Sequence, residues 1–416
     1  VKLTSEQSSW LDGNAGPSLQ WAVDFNKRLG EFFGAEMMTP VESVHFAPDI
    51  RAGGKPCLRL LSNLVENGDK IVVPGTLDPC MVDFTKEAEW ISEYGVAEAN
   101  IQEERELQRL CLNLGFRPTY TCINYQSINP PRFGDSLAWG DTGSAICANA
   151  LFGARTNFEG GPSALASALM GCTPAYGMHL DVNRRATLVV KLECSPREIA
   201  DWGAIAKLAG SIATGYESVP VFYGNFPRPT FDMLKQLGVA LASYGGHAMF
   251  HVVGETPEAA TIEQAIGKAR RVEEHVMTPG DLEGVFESYT LPNDTVDLVV
   301  FSAPQLSINE VRAIAELLNG RRVHEHTKLI IGIDPQVKMQ ADAEGVSKVL
   351  LGAGAEYSTG TCFYPESPWL VEQNGWRSLV TNSAKLVNTM ASVGLTAALC
   401  RLNECIDAAV AGRLTQ

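Results

Sequence analysis

No two cysteines in this 416-residue chain are spaced Cys-x-x-Cys, so zinc ribbons and thioredoxin-like redox motifs find no support. Long apolar runs are missing as well. Stretches such as LVVF at 298–301 and VLL at 349–351 break off too soon for a bilayer span, which takes about 20 apolar residues. The first residues, Val1-Lys2-Leu3-Thr4, carry no basic region followed by an apolar run, so no signal peptide is read there. Positive charge is scarce: 33 Lys and Arg stand against 48 Asp and Glu, for a formal net charge of −15. That balance argues against nucleic acid or an anionic membrane surface as the main partner. The expectation is a soluble, cytoplasmic protein with no nucleic-acid or membrane partner. A small anionic ligand remains compatible, because a few clustered arginines reverse the local sign.

What is present is globular. Hydrophobic residues make up 45 % and charged residues 19 % of the chain, and the length suggests about two or three packed units. Ten cysteines in a chain of this size read mostly as reduced core residues, and any metal site must gather cysteines remote in sequence.

Short β-branched runs alternate with helical patterns. KIVVP (70–74), TLVVKL (187–192), MFHVV (249–253), DLVVF (297–301) and KLIIG (328–332) look like buried parallel strands. Helices are expected over 97–114, 196–215, 308–319 and 342–350, the third opened by a capping box in Ser307 and Glu310. The reading is an α/β protein with parallel sheets, with subdivisions at 1–135, 136–285 and 286–416.

Residues 118–185 concentrate small residues, amides, guanidiniums and carboxylates beyond what a core tolerates. Gly160-Gly161-Pro162-Ser163 precedes an Ala/Leu helix, and such a turn can cradle a carboxylate or phosphate or simply turn the chain. Arg155 and Arg184 suit a substrate anion, or alternatively a structural ion pair with Glu159, Asp141 or Asp181. His179 is an acid/base candidate or a hydrogen-bonded core histidine. His247 and His251 do not complete a metal site. Cys57, Cys111, Cys194, Cys400 and Cys405 read as core residues. Cys122, after a strand-like 119–121 run, and Cys362, in a polar loop, are placed where a cluster could be shared.

The blocks TC-x-NY (121–125), AWGDTGSA (138–145) and N-x-LFGARTN-x-EGGPSALA-x-ALxGxTPxYGxHLDxNR (149–184) resemble the aconitase X family, of large-subunit type. The likeness extends through TLDPCMVDF (76–84), FHVVGETPEA (250–259), GTC (360–362) and TNSAK (381–385). It implies an aconitase-like large subunit over residues 1–416, with three-layer α/β/α units. It also implies a site facing a smaller swivelling domain. Only roughly thirty residues follow TNSAK, too few for that domain, so it is expected on a separate small subunit.

The implied activity is a hydro-lyase that dehydrates cis-3-hydroxy-L-proline to pyrroline-2-carboxylate. The alternatives are a mevalonate 5-phosphate dehydratase large subunit and a non-catalytic cluster-binding subunit. An iron-sulfur centre would serve as Lewis acid, with Cys122 and Cys362 matching the family's ligands. Archaeal relatives carry Gly-Cys-Pro where this chain has Ser302-Ala303-Pro304, and Ala303 cannot ligate iron. A 2Fe–2S cluster, a compensating Cys80 or Cys147, or loss of the cluster follow as options. The resemblance puts Ser144, Asn149, Arg155, Asn157, Glu159, Gly160, Gly161, His179, Asn183 and Arg184 at or around a small anionic substrate. It names no catalytic base, since a small-domain serine usually takes that role.

Overall fold

The computed structural model describes residues 1–48, 50–267 and 272–414. Among these, no helix is long and apolar enough to cross a membrane. The chain builds three parallel sheets in succession. The first third contributes β1 (Met38–Pro40), β2 (Ser43–Phe46), β3 (Gly75–Leu77), β4 (Leu137–Trp139) and β5 (Cys172–Pro174). β2 lies between β3 and β4, parallel to both, while β1 and β5 form a separate antiparallel pair. Val44 and Ala138 of this sheet pack with Ala22, Leu61, Leu107 and Leu165 from the helices around it.

The middle third forms β6 (Leu188–Leu192), β7 (Pro220–Gly224), β8 (His251–Val252) and β9 (Glu274–Met277), in the order β8-β7-β6-β9. Its helices Ile199–Ile212 and Phe231–Gly245 approach closely because Gly210 has no side chain. A Cβ there would sit 2.9 Å from that of Tyr244, inside van der Waals contact.

The last third forms β10 (Leu298–Phe301), β11 (Lys328–Ile333), β12 (Ala355–Thr359), β13 (Ser378–Thr381) and β14 (Thr396–Leu399), ordered β12-β11-β10-β13-β14 and parallel throughout. Side chains alternate faces along a strand. Val299, Phe301, Leu329 and Ile331 accordingly meet Ile314, Leu318, Val337 and Ile406 on one side. Leu298, Val300 and Ile330 meet Phe363, Leu370, Leu386 and Met390 on the other. Helices on both faces make this a three-layer α/β/α unit. Burial on both sides is why these strands read as unbroken apolar runs.

Four of the five expected strands form, and the capping box of Ser307 and Glu310 opens Ile308–Leu318. The run KIVVP is not a strand. Ile71 and Val72 donate their N–H groups to Leu114 and Ala168, and pairing starts only after Pro74, which has no N–H to give. The helix expected over 342–350 is two, Pro335–Ala343 and Val346–Gly352. They are parted at Gly345, whose φ of 78° lies in the left-handed region. The run 119–121 is likewise irregular rather than extended into a sheet.

Candidate active site

In open parallel sheets, ligands bind beyond the carboxyl ends of the strands. Here those ends in the first and third sheets are joined. His45 lies in β2, Asp78 follows β3 and Asp141 follows β4. From the other sheet come Ser302–Pro304 after β10, Asp334 after β11, Cys362 after β12 and Lys385 after β13. The connection between them is hydrogen-bonded: Thr121 Oγ1 donates to Asp334 Oδ2 at 3.0 Å, and Cys80 N–H donates to Gly360 O at 2.8 Å.

Gln305 organises the junction. Fully buried, it accepts from the Cys122 N–H at 3.1 Å. Its amide nitrogen lies within hydrogen-bond reach of the carbonyls of Tyr120, Ile333 and Thr361 at 3.2, 3.3 and 2.8 Å. Its own backbone N–H points at Cys122 Sγ, 3.3 Å away. Ser144 Oγ donates to Cys122 O at 3.1 Å. The result is that Cys122 and Cys362 lie in side-chain contact. That contact first, and burial second, push the Cys122 thiol well above its ordinary range. Tyr120 and Ala303, with φ of 47° and 55°, are the positive-φ non-glycine residues among those described. Both flank the thiol pair, and strained backbone of this kind persists where surrounding structure enforces it.

Charge collects on the same rim. His45, wholly buried, has Nδ1 2.8 Å from Thr76 Oγ1 and Nε2 3.2 Å from Asp78 Oδ1. A Thr76 hydroxyl donating to Nδ1 leaves Nε2–H to donate to Asp78. Burial, then the neighbouring Asp141 carboxylate, push Asp78 up to about 6, with His45 opposing both. Asp141 caps the helix Thr142–Phe152, accepting from Ser144 N–H at 2.6 Å. Lys385, half-buried, faces these groups. Burial alone would lower its ammonium, but Asp141, Cys362, Cys122 and Asp78 together hold it above the ordinary lysine value.

Models of the first, second and third domains of aconitase X match residues 1–182, 186–287 and 296–411 in turn. The phosphomevalonate dehydratase large subunit of Thermococcus kodakarensis is 33 % identical over 401 residues, covering 95 % of this chain and 97 % of that one. The chain belongs to the aconitase X family. The cis-3-hydroxy-L-proline dehydratase of Pseudomonas aeruginosa is 31 % identical, over 99 % of this chain and 70 % of that protein. The holo-form crystal structure of Thermococcus kodakaraensis aconitase X superposes with a TM-score of 0.87 at 31 % identity, covering 98 % of this chain and all of that one. These relatives are named as dehydratases, and this is a family of hydro-lyases.

Aconitase-like proteins suggest an iron-sulfur cluster, and the donors here fit one attached through two thiolates. Cys122 and Cys362 are in contact, and the Gln305 N–H directed at Cys122 Sγ suits an anionic sulfur. A third thiolate is not at hand: Ala303, fully buried, brings only a methyl group. Among the described residues no three Cys, His, Asp or Glu side chains converge as metal ligands. Cys80 is buried and its thiol is raised well above the ordinary range by that burial. Cys147 pairs with the Tyr125 hydroxyl in the core, and burial pushes it up to about 12.

The aconitase X residues expected around substrate divide into two groups. Ser144 touches Cys122. Glu159, Gly160 and Gly161 reach the His45 side of the rim, since a Cβ on Gly140 would lie 2.9 Å from Glu159 O and 3.2 Å from His45 O. Burial raises the Glu159 carboxyl, which accepts from Ser163 and, at 3.0 Å, from Thr173. Among the described residues nothing lies within 4 Å of where a Cβ on Gly160 would stand.

The second group forms a polar network beyond the last turns of Thr142–Phe152. Asn149 lies five residues past Ser144, about 7.5 Å further along the helix axis. Arg184, 1 % exposed, is spent on Glu258 and on the carbonyls of Asn149 and Met178. Arg155 binds His179 O and Asp181. Of the acidic partners considered for the arginines, Asp181 is therefore engaged. Asn157 bonds Tyr176 O, Met178 N–H and the Tyr216 hydroxyl, and Asn183 donates to Gly177 O. His179 is buried among them. Burial, then Arg184 and Arg155, lower it to about 4, so it is neutral. His247 and His251 bond the carbonyls of Ser218 and Arg184.

The structure adds His45, Asp78, Gln305 and Lys385 to the candidate residues, and Asp141 in a place other than that of an arginine partner. Each sits at or just past the carboxyl end of a strand, a position that signals function once the strands are known.

Proposed function

We propose that this chain is the large subunit of a dehydratase that removes water from a small β-hydroxy acid, cis-3-hydroxy-L-proline, yielding pyrroline-2-carboxylate. The observation that carries the reading is the contact of Cys122 and Cys362 between the carboxyl ends of two parallel sheets, with Asp78 and Asp141 beside them. Cys122 and Cys362 would hold an iron-sulfur group there, of 2Fe–2S type, supplying Lewis-acid chemistry at the leaving hydroxyl. In the reaction the C2–H bond breaks, its proton passing to a base, and the C3–O bond breaks, the oxygen leaving as water. Asp78, poised near 6 and anchored by His45, can hold a proton on the side of its carboxyl away from Nε2 and deliver it to the departing oxygen. Ser144 and Gln305 keep Cys122 in place. Glu159, Gly160 and Gly161 border the same rim, while Asn149, Arg155, Asn157, His179, Asn183 and Arg184 support it from behind.

The base is proposed to come from a small partner subunit bearing the swivelling domain, as the large-subunit naming of the archaeal relatives suggests. None of the ten cysteines forms a disulfide, which suits a cytoplasmic enzyme. Dehydration of mevalonate 5-phosphate is a second reading, favoured by the fuller coverage of those archaeal subunits, 97 % against 70 %. Against it, Arg155 and Arg184 are consumed structurally, so among the described side chains placed on the rim Lys385 is a lone cation rather than part of a dianion site. The test is direct: the chain is combined with its small partner and each substrate is assayed for loss of water. Turnover of cis-3-hydroxy-L-proline supports the reading, and no water loss from either compound rejects it.

A further inference from the structure

The surroundings of Lys385 are unusual for a lysine. It lies in the first turn of the helix Ala384–Met390, directly after β13. It is half-buried and within the field of Asp141, Cys362, Cys122 and Asp78. Among the described residues its ammonium has neither a hydrogen bond nor an ion pair. The rest of the molecule treats buried cations differently. Lys235 is held by Glu310 and Asp232, Arg184 by Glu258, and Arg155 by Asp181. With no protein acceptor among the described residues, the three donors of the ammonium are left for solvent or for a ligand at the rim.

We propose that Lys385 binds the substrate carboxylate and stabilises the negative charge that gathers on it as the neighbouring carbon loses its proton. This deepens the dehydratase reading and rests on it. Both candidate substrates are β-hydroxy carboxylates, so the assignment concerns the part they share. As the C2–H bond breaks, its electron pair delocalises onto the carboxylate oxygens before the C3–O bond opens. A cation fixed beside those oxygens gains strength in the transition state, which acts on kcat as well as on KM. The same placement orients the substrate, with its hydroxyl toward the thiol pair and its carboxylate toward the helix after β13.

The experiment compares wild type, Lys385→Met and Lys385→Arg, each with the small partner subunit. L-proline, which has the carboxylate but no leaving hydroxyl, and L-prolinamide, which has neither, are titrated by calorimetry, and turnover is measured separately. Wild type should bind L-proline at least about tenfold more tightly than the amide. In Lys385→Met that preference should vanish while thermal stability is retained, and kcat/KM should fall by about 10² to 10³ with a loss in kcat. Lys385→Arg should recover both within roughly tenfold, since it keeps the charge. A Lys385→Met protein that keeps the carboxylate preference, or a wild type that does not bind L-proline, overturns the assignment. If wild type prefers the carboxylate through Lys385 yet releases no water from either substrate, the anion site stands and the dehydratase reading falls.

Discussion

Replacing Gln305 by methionine keeps nearly the same volume and removes every polar atom of the side chain. Four groups, three of them buried, lose a partner: the Cys122 N–H and the carbonyls of Tyr120, Ile333 and Thr361. Two of these contacts, at 2.8 and 3.1 Å, are of good length, and the other two share one amide nitrogen at 3.2 and 3.3 Å. Counting the two good bonds in full and the others as weak gives about 3 kcal/mol of lost local stability. Because the three sheets need not unfold together, the loss should register at the site rather than as a single global midpoint. Cys122 is buried, so its reaction with a thiol reagent requires the junction to open. Three kcal/mol then corresponds to about a hundredfold faster labelling. Mass spectrometry would assign the rate to Cys122 among the ten cysteines. Ser144→Ala, which removes one bond to Cys122 O, should accelerate labelling by only about five- to tenfold. Labelling of Gln305→Met at the wild-type rate would refute the role given to Gln305.

Arg184→Met strands the Glu258 carboxylate and the carbonyls of Asn149 and Met178. It should destabilise the protein by about 3 to 5 kcal/mol, measured by denaturation, without abolishing the binding of L-proline in the protein that remains folded. His179, lowered to about 4 by burial and two arginines, is neutral in the fold, and burial lowers His247 and His251 as well. The unfolded chain binds more protons than the native one from pH 6.5 down to about 4. The stability that His179 contributes is therefore complete above pH 6.5 and drains away as pH falls through that window. His179→Gln should flatten the acid limb of a stability–pH curve by up to about 3 kcal/mol, and an unchanged limb would contradict the neutral assignment. Cys122→Ser and Cys362→Ser should each lower iron and sulfide bound after anaerobic reconstitution, read by absorption and metal analysis, whereas Cys80→Ser and Cys147→Ser should leave both unchanged.

Residues buried on both sides made the third sheet legible. DLVVF and KLIIG are continuous apolar runs because Val299 faces one helical layer and Val300 the other. The first sheet was harder to read. Its strands have three or four residues, too few for a period to show, and KIVVP offered a stronger pattern that the sheet does not use. Cys122 and Cys362 stood out through motif and loop context, and they do meet. Gln305 carries no local signal, since its partners lie up to 185 residues away, as Tyr120 does, whereas Lys385 lies inside the TNSAK motif but shows its charged neighbours only in the fold. For Arg155 and Arg184 the sequence allows either a substrate anion or a structural ion pair, and the bonds to Asp181, Glu258 and backbone carbonyls are contacts that a sequence cannot display.

The central claim is tested most directly by following the reaction of the chain combined with its small partner on cis-3-hydroxy-L-proline deuterated at C2. The expected product is pyrroline-2-carboxylate that has lost the C2 deuterium, with loss of turnover in Cys122→Ser and Cys362→Ser. Product that retains the deuterium, or undiminished turnover without the two thiols, would contradict it.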